Sequence, residues 1–263
     1  MGDVYFMRKI ICLSILGILR MAYAQDFVVH KSADRGFFRN SWLQARYSFS
    51  FNTFYNEQRD GFGALLVLND DVIAPGKGFG KHSHENMEIV TIPLEGTLRH
   101  TDSKGNQGTL QAGEVQVMTA GKGIRHAEFN ASKADTLKTL QIWINTDSVG
   151  RAPRYAQRKY GKETFLDTLF IMVSPHDTSK LYIHQNASLS MGYFRKGRNV
   201  VYHKSKRDHG VYVFVIQGKA EVYGVSLLAK DAIGIIEKIQ ELTLALQNDT
   251  RVLLIEVPMS SPR

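Results

Sequence analysis

The chain has 263 residues, 43% of them hydrophobic, with a formal net charge of +8, enough for one large or two smaller packed β-domains and too ordered in composition for a disordered protein. Lys and Arg are scattered among acids, with one denser run at His203-Lys204-Ser205-Lys206-Arg207, which argues for a solvated surface and against nucleic-acid binding. Cys12 is the single cysteine, so a disulfide framework is excluded.

Met7-Arg8-Lys9, the apolar run from Ile10 to Leu19 and the small-x-small pattern Ala22-Tyr23-Ala24 before Gln25 follow in the order of a secretory signal. Residues 1–24 are therefore expected to be a cleaved signal peptide, placing the mature protein in the periplasm or outside the cell and removing Cys12. The alternative is a start at Met21 and a cytoplasmic protein. The apolar run is too short to span a membrane.

From Asp26 to Phe54 the chain is rich in aromatic residues, and Tyr47-Ser48-Phe49-Ser50-Phe51 alternates with period two, as a strand with one buried face does. Ala64 to Leu68 is a short apolar strand, Asn69-Asp70-Asp71 reads as a turn, and Val72-Ile73-Ala74 resumes before Pro75-Gly76. In His82-Ser83-His84 the two imidazoles share one face of an extended strand, as two ligands of one metal ion require. Forty-two residues after His84 comes His126, with Glu128 at the same spacing of two. Strand and turn signals fill the interval, through Met87 to Leu94, Thr97 to His100, Val115 to Met118 and Leu140 to Ile144, with no helical period. Facing walls of a small antiparallel barrel would bring two imidazoles from one strand and an imidazole with a carboxylate from another onto one divalent ion. Three nitrogens and one oxygen with open positions suit Fe(II) and also accept nickel, manganese, copper or zinc.

Asn145 to Tyr160 is polar and reads as a linker or crossover. A second block of strands follows, at Leu169 to Val173, Lys180 to His184, Ala187 to Phe194, Val211 to Gly218, Lys219 to Tyr223, Ala232 to Ile236 and Arg251 to Val257. Val215-Ile216-Gln217-Gly218 resembles Ile92-Pro93-Leu94-Glu95-Gly96, so the second block is expected to be a degenerate copy of the first without the metal pair.

Gly76, five residues, His82-x-His84, three residues and Glu88 fit the first motif of the cupins. Gly113, five residues, Thr119-Ala120-Gly121, then His126, three residues and Asn130 resemble the second. The blocks Phe49-Ser50-Phe51, Pro75-Gly76-Lys77-Gly78-Phe79, Met87-Glu88-Ile89, Asp102-Ser103-Lys104-Gly105-Asn106, Gly123-Ile124-Arg125-His126 and Leu140-Gln141-Ile142-Trp143 resemble, in order, a bacterial protein of the pirin family, from about Val29 to the C-terminus.

The resemblance implies an all-β bicupin, two antiparallel β-sandwich or jelly-roll barrels in tandem. The N-terminal metal-binding cupin would take residues 26–145, a linker 146–165 and a degenerate cupin 166–263. It implies iron ligands at His82, His84, His126 and Glu128, and a quercetinase-type activity, the oxygenative opening of a flavonol ring by dioxygen in a cleft beside Phe49 and Phe51. Glu128 and Glu88 are the candidate catalytic bases, Glu88 also being a candidate to orient a ligand imidazole. Gly76, Gly78 and Gly80 would let the loop before the histidines approach the substrate. The alternative function, also carried by the resemblance, is a metal-binding, redox-sensing regulator that acts by docking a protein partner. His100, His176, His184, His203 and His209 lack a partner at ligand spacing and read as surface or structural histidines.

Overall fold

The computed structural model describes residues 27–236 and 240–260. Residues 1–24, with the expected export signal and Cys12, lie outside the described residues. Among the described residues no helix is long and apolar enough to cross a membrane.

Among the described residues twenty-one strands carry the fold. In the N-terminal half they are β2 (Gly36–Arg39), β3 (Leu43–Tyr47), β4 (Leu65–Ile73), β5 (Gly78–His84), β6 (Met87–Glu95), β7 (Thr97–Asp102), β8 (Gln107–Gln111), β9 (Glu114–Thr119), β10 (Ile124–Asn130), β11 (Leu137–Asn145) and β12 (Arg154–Lys159), preceded by β1 (Phe27–His30). The C-terminal half has β13 (Phe170–Val173), β14 (Ser188–Phe194), β15 (Arg198–His203), β16 (His209–Gln217), β17 (Lys219–Val222), β18 (Val225–Leu228), β19 (Ala232–Ile235), β20 (Glu241–Leu246) and β21 (Thr250–Pro258). Each half is a pair of antiparallel sheets closed face to face: β12-β9-β6-β11-β4-β3-β2 against β5-β10-β7-β8, and β1-β19-β16-β21-β14-β13 against β15-β20-β17-β18. This is the tandem bicupin that the sequence leads one to expect.

The two halves repeat one device. β6 leaves the large sheet at Gly96 and continues as β7 in the small one, and β16 leaves its large sheet at Gly218 and continues as β17. Both glycines have positive φ, 82° and 83°, where a side chain is strained, and a Cβ at either would press on backbone. The resemblance of the segments before Gly96 and Gly218 is thus a repeated corner of the fold.

The large sheets pack back to back. Val90, Ile92, Val117, Leu140 and Ile142 of one half share an apolar core with Leu189, Tyr212, Phe214, Leu253 and Ile255 of the other. Strands buried on both faces account for the near-continuous apolar run of β16. A separate cluster with Leu43, Ala45, Tyr47, Ile73, Leu98, Leu110 and Leu137 fills one end of the N-terminal barrel, and Ile89, Met118, Ala120 and Ile124 fill another part.

Several local expectations change; Asn69-Asp70-Asp71, expected as a turn, lies within β4. β1, placed by sequence in the first domain, pairs with β19 of the second, so the start of the described chain straps the two halves together. The segment read as a linker contains β12, which adds to the edge of β9 from Arg154↔Thr119 to Lys159↔Glu114; its polar side chains suit an exposed edge strand. The Tyr47–Phe51 alternation is not one strand: β3 stops at Tyr47, and Asn52 with φ 53° turns the chain so that Phe51 bridges back to Phe54. Lys180 to His184 forms no ladder and holds only a bridge from Leu181 to Val173.

Candidate metal centre

β5 and β10 are hydrogen-bonded neighbours in one sheet, not strands on facing walls as expected, and their register sets His126 opposite His82 and Ile124 opposite His84. Alternation on β5 turns both His82 and His84 inward, and alternation on β10 does the same for His126 and Glu128. The three imidazoles close into a triangle, with ring centroids 4.4 Å apart for His82 and His126, 4.8 Å for His82 and His84, and 4.9 Å for His84 and His126. Their ligand atoms lie within 4.8 Å of one another.

A register shift between His126 and Glu128 in the β5 ladder sets Glu128 against Phe79, and the regular β7 ladder sets it against His100. Glu128 therefore joins a second group, with His100 and His126, whose ligand atoms also fall within 4.8 Å. The expected four-ligand set is thus two overlapping triads that share His126, and Glu128 lines the same cavity as His82 and His84.

His100 is the site residue that the sequence reading missed. It is fully buried, its ring centroid is 5.5 Å from that of His126, Nε2 lies 3.4 Å from Asp102, and Nδ1 has no partner among the described residues. Its sequence spacing carries no signal because it enters from a third strand. Only the register that sets it opposite Glu128 reveals it.

The donor set fits a divalent cation. His82 Nδ1 lies 2.7 Å from the Gly80 carbonyl, so that nitrogen carries the proton and Nε2 is left as a lone pair for the centre of the triangle. Both ring nitrogens of His126 are buried without a partner among the described residues, an arrangement that is costly unless something else satisfies it. Burial and the neighbouring histidines push His84 down to about 4 and His126 down to about 2, so both rings are neutral donors at physiological pH. Burial also pushes Glu128 up to about 7, against the opposing effect of its hydrogen bonds. A cation in the triad would reverse that trend and favour the carboxylate.

Below Glu128 a row of polar side chains crosses the large sheet. Tyr47, Asn69, Gln141, Thr91 and Gln116 are successive cross-strand partners on β3, β4, β11, β6 and β9. Gln141 Nε2 donates to Glu128 Oε2 at 2.7 Å. Thr91 Oγ1 donates to Gln141 Oε1 at 2.9 Å and stands 3.3 Å from Glu128 Oε1. The carboxylate is therefore held by the wall opposite its own strand.

Above the triad opens a cavity of about 550 Å³, within the range of small-molecule sites. Trp42, Phe79, Tyr47, Phe51 and Trp143 wall it, in edge contacts such as Trp42 on Phe79 and Phe51 on Trp143, both at 5.3 Å. Trp143 also stands edge-on to His84 at 4.8 Å. Phe51 lines this cavity as expected. Phe49 does not: it is buried between the halves against Tyr212 and His30, because the chain bends after Tyr47. Gly78 and Gly80 do line the cavity, while Gly76 serves a turn at φ 65°.

Glu88 is the other correction. On β6 it lies three residues from Thr91 and so faces the opposite side of the sheet, with Val90 and Ile92 and away from the triad. Its carboxylate accepts from Thr119 Oγ1 at 2.9 Å and from the backbone N–H of His184 at 3.3 Å, fastening the second half to the first. It neither lines the cavity nor orients a ligand imidazole. His176, His184, His203 and His209 are engaged by Asn186, Tyr182, Glu241 and Glu256, in keeping with structural roles.

The two closed barrels, with both potential metal groups of the described residues in the first, define a bicupin with one candidate metal centre. The pirin family model matches residues 28–144, and the model of the quercetinase C-terminal cupin domain matches residues 171–257. A quercetin 2,3-dioxygenase of Escherichia coli (strain K12) is 38% identical over 234 residues, covering 88% of this chain and 98% of that protein. The crystal structure of YhhW from Escherichia coli is similar with a TM-score of 0.84 at 35% identity, over 90% of this chain and all of that one. A structure of the same bacterial pirin in complex with nickel(II) has a TM-score of 0.83, also at 35% identity, over 89% of this chain and 100% of that one. The chain belongs to the pirin family.

Proposed function

We propose that this protein is a metal-dependent dioxygenase that opens the ring of a flavonol such as quercetin, with one divalent ion held by His82, His84, His126 and Glu128. The observation that carries the reading is the meeting of three imidazoles and a buried carboxylate at the base of an aromatic-walled cavity. A relative named quercetin 2,3-dioxygenase and a nickel(II) complex of a bacterial pirin support it. Fe(II) is the first choice for oxygen chemistry on this donor set; nickel, manganese, copper and zinc accept the same ligands.

When bound, the ion supplies Lewis acidity and a common site for substrate and dioxygen. The remaining work belongs to the chain. Trp42, Phe51, Phe79 and Trp143 offer edges and faces to a flat polycyclic ligand and exclude water from it. Glu128, fixed by Gln141, is the carboxylate positioned to take the proton of the substrate hydroxyl. Glu88 faces the other side of the sheet and is dropped from that role.

The regulatory alternative, a redox sensor acting through a docked protein, needs the ion but has no use for a ligand-sized aromatic-walled cavity, and the cavity therefore favours the enzyme. Purified protein loaded with Fe(II) should take up oxygen in step with the loss of quercetin absorbance, and His126→Ala should abolish both. Fully loaded wild-type protein that leaves quercetin untouched removes the reading. Export through residues 1–24 belongs to the same proposal and is tested by N-terminal sequencing of the protein from its own cells.

A further inference from the structure

The cavity has a second polar wall that the metal ligands do not use. Asn69 and Asp71 share one face of β4 with Ile73, which packs against Leu43, Ala45 and Tyr47 inside the barrel, so their side chains point into the barrel. Asn69 stands between Tyr47 and Gln141 in the polar row, and Asp71 lies one side-chain step further, opposite Ala45. Both are almost completely buried, at 3% and 4% exposure, yet both line the cavity.

Neighbouring Asp70 makes the contrast plain. On the outer face of the same strand it is paired with Arg35 at 3.6 Å and Lys230 at 2.8 Å. On the inner face, Oδ1 of Asp71 and Oδ1 of Asn69 have no hydrogen-bond partner among the described residues. The cavity wall around them is Leu43, Ala45, Tyr47 and Trp42, which the ladder and the aromatic packing hold in place. Burial, with Asp70 and Glu128 nearby, pushes Asp71 up to about 8, so its carboxyl is neutral at physiological pH and offers one donor beside its acceptors.

Adjacent buried acceptors on a ligand-sized cavity are a poor way to stabilise a fold, and a good way to recognise a donor brought by a ligand. A site built to hydrogen-bond hydroxyl groups discriminates strongly against an analogue without them, because the analogue leaves the polar groups buried and unpaired.

We propose that Asn69 and Asp71 form a hydroxyl-reading subsite that selects polyhydroxylated aromatic ligands, holding ring hydroxyls other than the one that meets the metal. The assignment rests on the flavonol reading of this cavity and narrows it: the aromatic walls accept any flat ring system, and this pair rejects those without hydroxyls.

The test is binding, not turnover. Nickel(II)-loaded protein is titrated without oxygen with quercetin and with 3-hydroxyflavone, which keeps the chelating hydroxyl and carbonyl but lacks the other ring hydroxyls. Quenching of Trp42 and Trp143, the two tryptophans of the chain and both in the cavity wall, reports occupancy. Wild-type protein should bind quercetin more tightly by about tenfold or more. Asp71→Leu and Asn69→Leu should each shrink the ratio to about threefold or less, while Asp71→Asn, which keeps a donor and an acceptor, should preserve it.

Equal affinity of the two ligands for wild-type protein overturns the proposal without any variant. A ratio that survives in both leucine variants also overturns it. Oxygen uptake is read separately. Discrimination without uptake removes the dioxygenase reading and leaves the subsite standing; uptake without discrimination does the reverse.

Discussion

Gln141 on β11 donates its side-chain amide to Oε2 of Glu128 on β10, 2.7 Å away across the interior of the barrel. The bond ties the two sheets of the barrel together at the point where the carboxylate must meet the imidazoles. It fixes which way the carboxylate faces, and the Thr91 hydroxyl at 2.9 Å from Gln141 Oε1 fixes which way the amide faces. Gln141→Leu should therefore lower metal affinity by roughly 10- to 100-fold while leaving the three histidines in place. Competition titration against a calibrated chelator measures it, and an affinity within about twofold of wild type rules the positioning role out.

The same carboxylate makes the metal-free protein sensitive to pH. Burial raises Glu128 from 4.5 to about 7, so the unfolded chain ionises first. Stability attributable to this group is complete below pH 4.5, falls as the pH rises towards 7, and stays lost above it. The loss amounts to about 3 kcal/mol. Glu128→Gln has no proton to lose, and the depressed values of His84 and His126 are common to both proteins. In the presence of chelator the variant should melt about 5–10 °C above wild type at pH 8 and at the same temperature near pH 4. Coincident melting curves at pH 8 would contradict the burial argument.

How far this centre can be read from sequence depends on where each residue's partner lies. His82-Ser83-His84 and His126-Ala127-Glu128 are legible because period two acts within one strand, and their distance along the chain is that of two strands in one small barrel. His100 is not, because it meets Glu128 through the pairing of β7 with β10 and through no spacing of its own. Glu88 fits a cupin motif by spacing, but strand alternation relative to Thr91 sends it to the other face. Asn69 and Asp71 read as a turn because Asn-Asp-Asp has turn composition; β4 runs straight through them, since Asp71 faces a cavity and Asp70 an ion pair. The strap β1 and the edge strand β12 depend on which sheet has a free edge, which is tertiary information.

Two glycines beside the histidines separate a steric requirement from simple turn chemistry. A Cβ on Gly78 would collide with the Glu128 carbonyl and stand 2.5 Å from the Phe129 Cα, both backbone atoms with nowhere to move. A Cβ on Gly80 meets nothing within 4 Å. Gly78→Ala should cost about 1–3 kcal/mol and, by pushing β10 away from β5, reduce bound metal. Gly80→Ala should be neutral or stabilise by up to about 1 kcal/mol. Thermal melts and metal analysis of the two variants check the pair; equal behaviour would mean that the β5–β10 approach is not what requires Gly78.

Glu88 offers the sharpest separation between motif and geometry. Its spacing from His84 is that of a cupin ligand, yet its carboxylate is occupied by Thr119 and the His184 amide on the face that joins the two halves. Glu88→Gln keeps the side-chain volume and an acceptor for the His184 N–H, and leaves β5, β10 and the cavity untouched. Bound metal per chain and the rate of quercetin loss should therefore stay within about twofold of wild type, whereas His126→Ala loses both. The residue's contribution should appear at the junction of the halves instead. Burial raises Glu88 to about 7, so near neutral pH the variant should hold the His184 segment without competing ionisation, and hydrogen exchange at that amide should be no faster than in wild type. Loss of metal from Glu88→Gln with the fold intact would return this residue to the ligand set and require the strand face assigned to it to be wrong.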